Sequence, residues 1–201
     1  MSILIIGGDA RLSKRLIKNF DIKYVTTRRK CKIKNHLFLD LQNVDSFCIP
    51  EDVTNCVIIG GPVSYDQSKN EANIVQKIHQ ISIPNLTLKL LERGIFTIYI
   101  SSNMVLGKKS LDRSESASPK PNIEYGKMKY LCEKSILDKV GGFEKYDKLA
   151  FLRLTKNISP ETSPFNNWIK NYHLSKDIYA FNDLFISPIN YEESSKVIMK
   201  L

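Results

Sequence analysis

Tyr125 and Lys129 stand four positions apart in "YGKMK", a spacing that sets a phenol and an ammonium on the same side of a helix. A free phenol titrates near pH ~10, and a neighbouring ammonium favours phenolate, so such a pair can move a proton at a carbonyl or alcohol oxygen. Spacing alone does not select this pair. The chain has four Tyr-x-x-x-Lys matches, Tyr65/Lys69, Tyr125/Lys129, Tyr130/Lys134 and Tyr172/Lys176, and a lysine-rich chain produces them freely. Position in the fold has to choose among them.

The elements that position them read as alternating strands and helices. "ILII" at the N-terminus, "KYVTT" (23–27), "HLFLDL" (36–41), "NCVIIGG" (55–61), "IFTIYISS" (95–102) and "KLAFLRL" (148–154) are short runs rich in β-branched residues. Several of them read as parallel strands buried on both faces. Helical periodicity covers Arg11 to Asn19, a segment near Ala72 to Gln80, Leu86 to Arg93 before Gly94, and Ile123 to Val140 before Gly141 and Gly142. The alternation predicts an α/β fold, a Rossmann-like doubly wound parallel sheet, over residues 1–160. Residues 161–201 read as a small, shortened C-terminal lobe: a helix in "NNWIKNYHLSK", a strand-like run, a proline turn and a final helix. The polar loop "SLDRSESASPKP" (110–121) links the fifth strand to the "YGKMK" helix, in the place where this architecture builds ligand sites.

The first strand-to-helix turn of such a sheet is where helix amides hold a pyrophosphate. That turn reads "IIGGDARLSKRL", with Gly7, Ala10 and Ser13 where a full fingerprint has three glycines, and Arg11 and Leu12 opening the helix. Taken alone, the turn leaves dinucleotide binding open. After the second strand the chain offers "TTRRK" and no carboxylate for a ribose 2′-hydroxyl. Arg28 and Arg29 suit a 2′-phosphate, so NADP is expected over NAD.

Composition excludes several classes. The chain has 201 residues, a net charge of +9 and 42% hydrophobic residues, enough for one substantial core. The lysines are spread along the chain without an aromatic-interleaved module, so no nucleic-acid partner is expected; the cluster Arg28, Arg29, Lys30, Lys32, Lys34 reads as a solvated loop or an anion site. No apolar stretch is long enough for a signal peptide or a membrane span, and the protein is expected in the cytoplasm. Cys31, Cys48, Cys56 and Cys132 show no C-x-x-C spacing, and His36, His79 and His173 are scattered, so neither disulfides nor a metal site is expected.

Of the four pairs, only Tyr125/Lys129 falls in the helix after the fifth strand, which ends in "SSN" with Ser102. With this arrangement the sequence resembles the extended short-chain dehydrogenase/reductase family, especially its dTDP-4-dehydrorhamnose reductase and nucleotide-sugar epimerase branch. The eroded glycine turn, "HLFLDL", "YISSNMVLG", "YGKMKYLCEK" with Glu133, "FLRL" with Arg153 and "FISPINYEE" occur in the family's order. The resemblance implies Tyr125 as acid-base, Ser102 on the reacting oxygen, and Lys129 on the nicotinamide ribose while lowering the tyrosine pKa. It further implies cofactor contacts at Asp40, Leu41, Gly60 and Gly61, a nucleotide-sugar or phosphorylated sugar substrate, and a homodimer formed through the tyrosine helix, where Leu131, Ile136, Leu137 and Val140 look like excess apolar surface. Asn103 and Met104 occupy the positions where the family's dehydratases carry Asp-Glu, so reduction or epimerisation is implied and dehydration is not. The alternative is a degenerate relative serving as a dinucleotide-binding regulatory or scaffolding subunit.

Overall fold

Every side chain of Ile3–Ile6 is buried, and this run forms the central strand β1. The computed structural model describes residues 1–29, 32–61, 72–107, 114–160, 162, 164–180, 182 and 186–201. Lys30, Cys31, the Tyr65/Lys69 pair, residues 110–113 of the polar loop and Phe185 lie outside them.

From β1 the chain runs through α1 (Arg11–Asn19), β2 (Tyr24–Thr27), β3 (His36–Phe38) and β4 (Asn55–Ile58). It continues through α2 (Ala72–Lys77), α3 (Ile83–Glu92), β5 (Phe96–Ser102), α4 (Glu124–Val140) and β6 (Leu149–Leu154). The six strands form one sheet of order β3-β2-β1-β4-β5-β6. β1 pairs in parallel with both β2 and β4, β2 with β3, and β4 with β5. This is the doubly wound, Rossmann-like order. It reverses between β1 and β4, and the crevice at the carboxyl ends of those two strands is where such sheets take ligands.

One apolar core joins Leu4, Cys56, Ile58 and Tyr99 of the sheet to Leu86 and Leu90 of α3 and to Cys132, Ile136 and Val140 of α4. That placement corrects the expected dimer face. Ile136 and Val140 are fully buried within the protomer, so of the four apolar residues only Leu131 is exposed and Leu137 half-buried.

Two helices expected near residues 72–80 and 86–93 are instead one continuous run, with a π turn at Ile78–Ser82 joining α2 to α3. Pro84 falls just after the π turn, and the run continues through it.

The chain divides into two compact units, Met1–Arg153 and Leu154–Leu201. In the second, β7 (Asn157–Ile158) pairs in parallel with β8 (Ile189–Asn190), accompanied by α5 (Phe165–His173) and α6 (Tyr191–Lys200). The strand-like run expected before the proline turn has no strand at 177–180 or 186–188. Ile178 and Tyr179 are exposed there, so its apolar residues lack the buried sheet face that would favour a strand.

Candidate functional site

Gly7 follows β1 with φ +95°, in the left-handed region, and a Cβ added to it would lie 2.5 Å from the Gly60 Cα. The two glycines let the ends of β1 and β4 touch at the switch point. The turn is tied down on three sides. The Gly7 N–H donates to the Thr26 hydroxyl at 3.1 Å, the Gly8 N–H to the Thr26 carbonyl at 2.8 Å, and the Ser13 hydroxyl to the Gly7 carbonyl at 2.7 Å. Ser13 is fully buried, so where a third glycine would give only space, the serine adds a hydrogen bond that holds the turn.

α1 begins at Ala10 with no capping side chain and no acidic residue in its first turn. Its first amides therefore keep their capacity for an anion. They open beside a cavity of about 340 Å³ that Gly7, Ala10, Arg28, Asp40, Leu41, Gly60 and Gly61 help to line. Arg11, Leu12 and Arg29 are not among its lining residues; Leu12 packs into the core. Asp40 accepts the Gln42 N–H at 2.9 Å and so shapes the wall after β3. Sequence reading missed Asp9. Its carboxylate lines the same cavity and accepts from the Thr27 hydroxyl at 3.2 Å, which brings an acid from the first turn to the end of β2. The signal was present in "GGDA", but the partner lies 18 residues away. These features fit a dinucleotide's phosphates and ribose: a close-approaching glycine turn, an uncapped helix and a polar cavity.

The second group of candidates sits between β5 and α4. Gly126 lets α4 start hard against the preceding turn, because a Cβ there would meet the Met104 carbonyl oxygen at 2.4 Å. That approach sets Tyr125 beside Ser102. The Ser102 hydroxyl accepts the Met104 N–H at 3.2 Å, and its hydrogen bonding to Tyr125 favours phenolate. Burial is the larger influence on Tyr125 and holds its pKa above the ordinary value.

Lys129, one turn further along α4, points inward and is 3% exposed. Its ammonium donates to the Ile100 carbonyl at 2.9 Å and to the Tyr99 hydroxyl at 3.2 Å, and it lies 4.7 Å from the centre of the Tyr99 ring. Burial lowers its pKa to about 8. The expected depression of the Tyr125 pKa by Lys129 is therefore corrected. The ammonium is engaged by β5, and desolvation of the phenol dominates.

Glu133, 3% exposed, is held by a two-point contact from Arg153 of β6, Nε to Oε1 at 3.1 Å and Nη2 to Oε2 at 2.7 Å, and by the Ser101 hydroxyl at 2.5 Å. A buried carboxylate needs such partners, and together they bolt α4 to β5 and β6. Of the other tyrosine pairs, Tyr130 is half-buried beside an exposed Lys134, and Tyr172 is 74% exposed. Among the described residues no cluster of His, Cys, Asp and Glu could hold a metal ion.

The sheet order and the switch-point crevice define a Rossmann-type, doubly wound fold. No protein-family model and no curated protein matches the sequence. Among solved structures, a UDP-glucuronic acid 4-epimerase from Bacillus cereus, in complex with a fluorinated UDP-glucuronic acid and NAD, is similar with a TM-score of 0.79 at 16% identity, covering 99% of this chain and 72% of its own. A dTDP-4-dehydrorhamnose reductase from Bacillus anthracis in complex with NADP is similar with a TM-score of 0.77 at 18% identity, covering 100% and 70%. A hypothetical dTDP-4-dehydrorhamnose reductase from Sulfolobus tokodaii gives 0.76 at 20%, covering 100% and 72%. The fold is thus that of the family the sequence resembles. No helix among the described residues is long and apolar enough to cross a membrane.

Proposed function

We propose that this protein is a nicotinamide-dinucleotide-dependent reductase or epimerase of a nucleotide-activated or phosphorylated sugar, acting in the cytoplasm as a homodimer, with residues 161–201 contributing to sugar binding. The observation that supports the reading is Ser102 beside Tyr125 at the β5–α4 seam, with Lys129 one turn further along α4 bound to β5, in the same sheet whose β1–β4 crevice offers a separate cavity lined by the phosphate turn. The bound dinucleotide supplies or accepts a hydride at the sugar carbon. Tyr125, kept protonated at neutral pH by burial, gives its proton to the carbonyl oxygen of the sugar, and Ser102 holds that oxygen by hydrogen bonding. Lys129 binds the nicotinamide ribose. Asn103 and Met104 carry no group able to eliminate water.

The finer choice of NADP rests on Arg28, which lines the cavity. A charge-assisted hydrogen bond to a 2′-phosphate contributes ~1.5 to 3 kcal/mol. Asp9 favours a second reading, NAD, because a carboxylate accepts from a free 2′-hydroxyl and repels a phosphate. Asp9 is exposed, and at a few ångströms in water that repulsion is on the order of 1 kcal/mol. Arg28 outweighs it, and an NADP preference of roughly 2- to 30-fold follows.

Calorimetric titration with NADPH, NADH and a panel of nucleotide-sugars tests the reading. Binding of a dinucleotide and then of a nucleotide-sugar is expected. Absence of heat with both dinucleotides sinks it in favour of a scaffolding role.

A further inference from the structure

Tyr99 lies in the middle of β5, 0% exposed, and its ring packs edge-on against Phe151 at 6.0 Å between centroids. A phenylalanine would fill that space equally well. The hydroxyl is what needs explaining, since a buried polar group is costly unless it is hydrogen-bonded. It is spent on Lys129 and Cys132, the first accepted at 3.2 Å from the ammonium, while the ring face adds a cation-π contact at 4.7 Å. An ammonium has three donors. Tyr99 and the Ile100 carbonyl accept from two of them among the described residues.

We propose that Tyr99 is a positioning residue that anchors the Lys129 ammonium against the middle of β5, leaving its remaining donor for the ribose of a bound dinucleotide. The ribose part of this proposal rests on the function proposed above; the anchoring does not.

Burial is the largest influence on Lys129 and lowers its pKa, Cys132 and Glu133 of α4 act against it, and the Tyr99 hydroxyl and Ile100 carbonyl hold the ammonium in place. From α4, Cys132 is a neutral thiol pushed up to about 12 by burial, and Tyr125 is a neutral phenol. Glu133, also on α4, is claimed by Arg153 from β6 and Ser101 from β5. Tyr99 itself is kept protonated by burial, so it remains a neutral hydroxyl that accepts from the ammonium. Removing that hydroxyl strips one of the two hydrogen-bond acceptors that the ammonium has among the described residues.

The test is Tyr99→Phe, which keeps the ring and its packing. The pKa of Lys129 is read by NMR titration of ¹³Cε-labelled lysine without any ligand, the Lys129 signal being the one lost in Lys129→Met. The wild type should titrate near 8, and Tyr99→Phe should titrate about one to two units lower. NADH and NADPH affinities are measured over the same range by fluorescence. The wild type should lose affinity as pH rises through 8, and the variant should lose it at correspondingly lower pH, with little change at pH 6. An unchanged Lys129 pKa in the variant overturns the proposal, and so does an affinity loss equal at every pH, which marks a packing defect. If neither dinucleotide binds the wild type while the NMR shift is present, the ribose role and the proposed function fail and Tyr99 stands as the anchor of Lys129. A double-mutant cycle guards against a poorly folding variant: Tyr99→Phe should lower the melting temperature at pH 7 less in the Lys129→Met background than in the wild type. Equal effects in both backgrounds also overturn the anchor.

Discussion

At the β1–α1 turn, the groups offered to a ligand are mainly backbone: the Gly7 approach to Gly60 and the uncapped amides after Ala10. At the β5–α4 seam they are side chains, with Lys129 and Glu133 buried and each held by named partners. Backbone geometry survives substitution wherever the replacement is small, which is why Ala10 and Ser13 can stand in a glycine turn and Ser13 can even tighten it. Buried charges have no such tolerance, because each partner removed leaves an uncompensated ion. The turn can therefore accept small side chains, whereas the seam cannot lose a charged partner without leaving a buried ion.

The sharpest test of that contrast is at the seam. Tyr125→Phe deletes one hydroxyl and should lower turnover on an accepted nucleotide-sugar by roughly 10² to 10⁴ with the dinucleotide still bound, whereas Tyr130→Phe and Tyr172→Phe should stay within a few-fold in the same assay. A small effect at Tyr125 would break the comparison at its functional end. Arg153→Leu should cost about 3 kcal/mol of stability in urea denaturation, because it removes the two-point ion pair from the buried Glu133 and leaves it the Ser101 hydrogen bond.

Lys129→Met should act in the opposite direction. The folded-state pKa of Lys129, about 8, lies below its ordinary 10.5, so the unfolded chain binds the extra proton between these values and this group's contribution to stability rises with pH across that window. Below pH 8 the buried ammonium is a burden of up to roughly 3 kcal/mol. The methionine variant should thus melt higher than the wild type at pH 7, and the gap should close by pH 10.5. At the turn the effects are smallest. Arg28→Ala should reduce NADPH affinity by about tenfold with little change for NADH, and Asp9→Asn should raise NADPH affinity several-fold. If both variants treat the two cofactors alike, the cavity does not read the 2′ position.

Much of this was legible along the chain. The buried β-branched runs and glycine stops predict the sheet and most helices, and fold position singles out Tyr125 from four equivalent spacings. What escaped depended on neighbours distant in sequence. Asp9 becomes a cavity residue through Thr27, and Lys129 meets Tyr99 across 30 residues, so neither shows in a local pattern. The apolar stripe of α4 was assigned outward because periodicity marks a face without saying which neighbour covers it; the core takes Ile136 and Val140.

The π turn at Ile78–Ser82 makes the cavity sensitive to the length of the coding sequence in a place where a surface helix would ordinarily forgive a change. Each helical residue advances the chain by about 100°. Loss of one codon there, for example that of the exposed Ile81, would turn the bulge into plain α-helix and rotate all of α2 by that angle about α3. Ile74, which lines the cavity, would swing off its wall. A three-base deletion outside every candidate contact residue would thus remodel the cavity as surely as a change at Gly7.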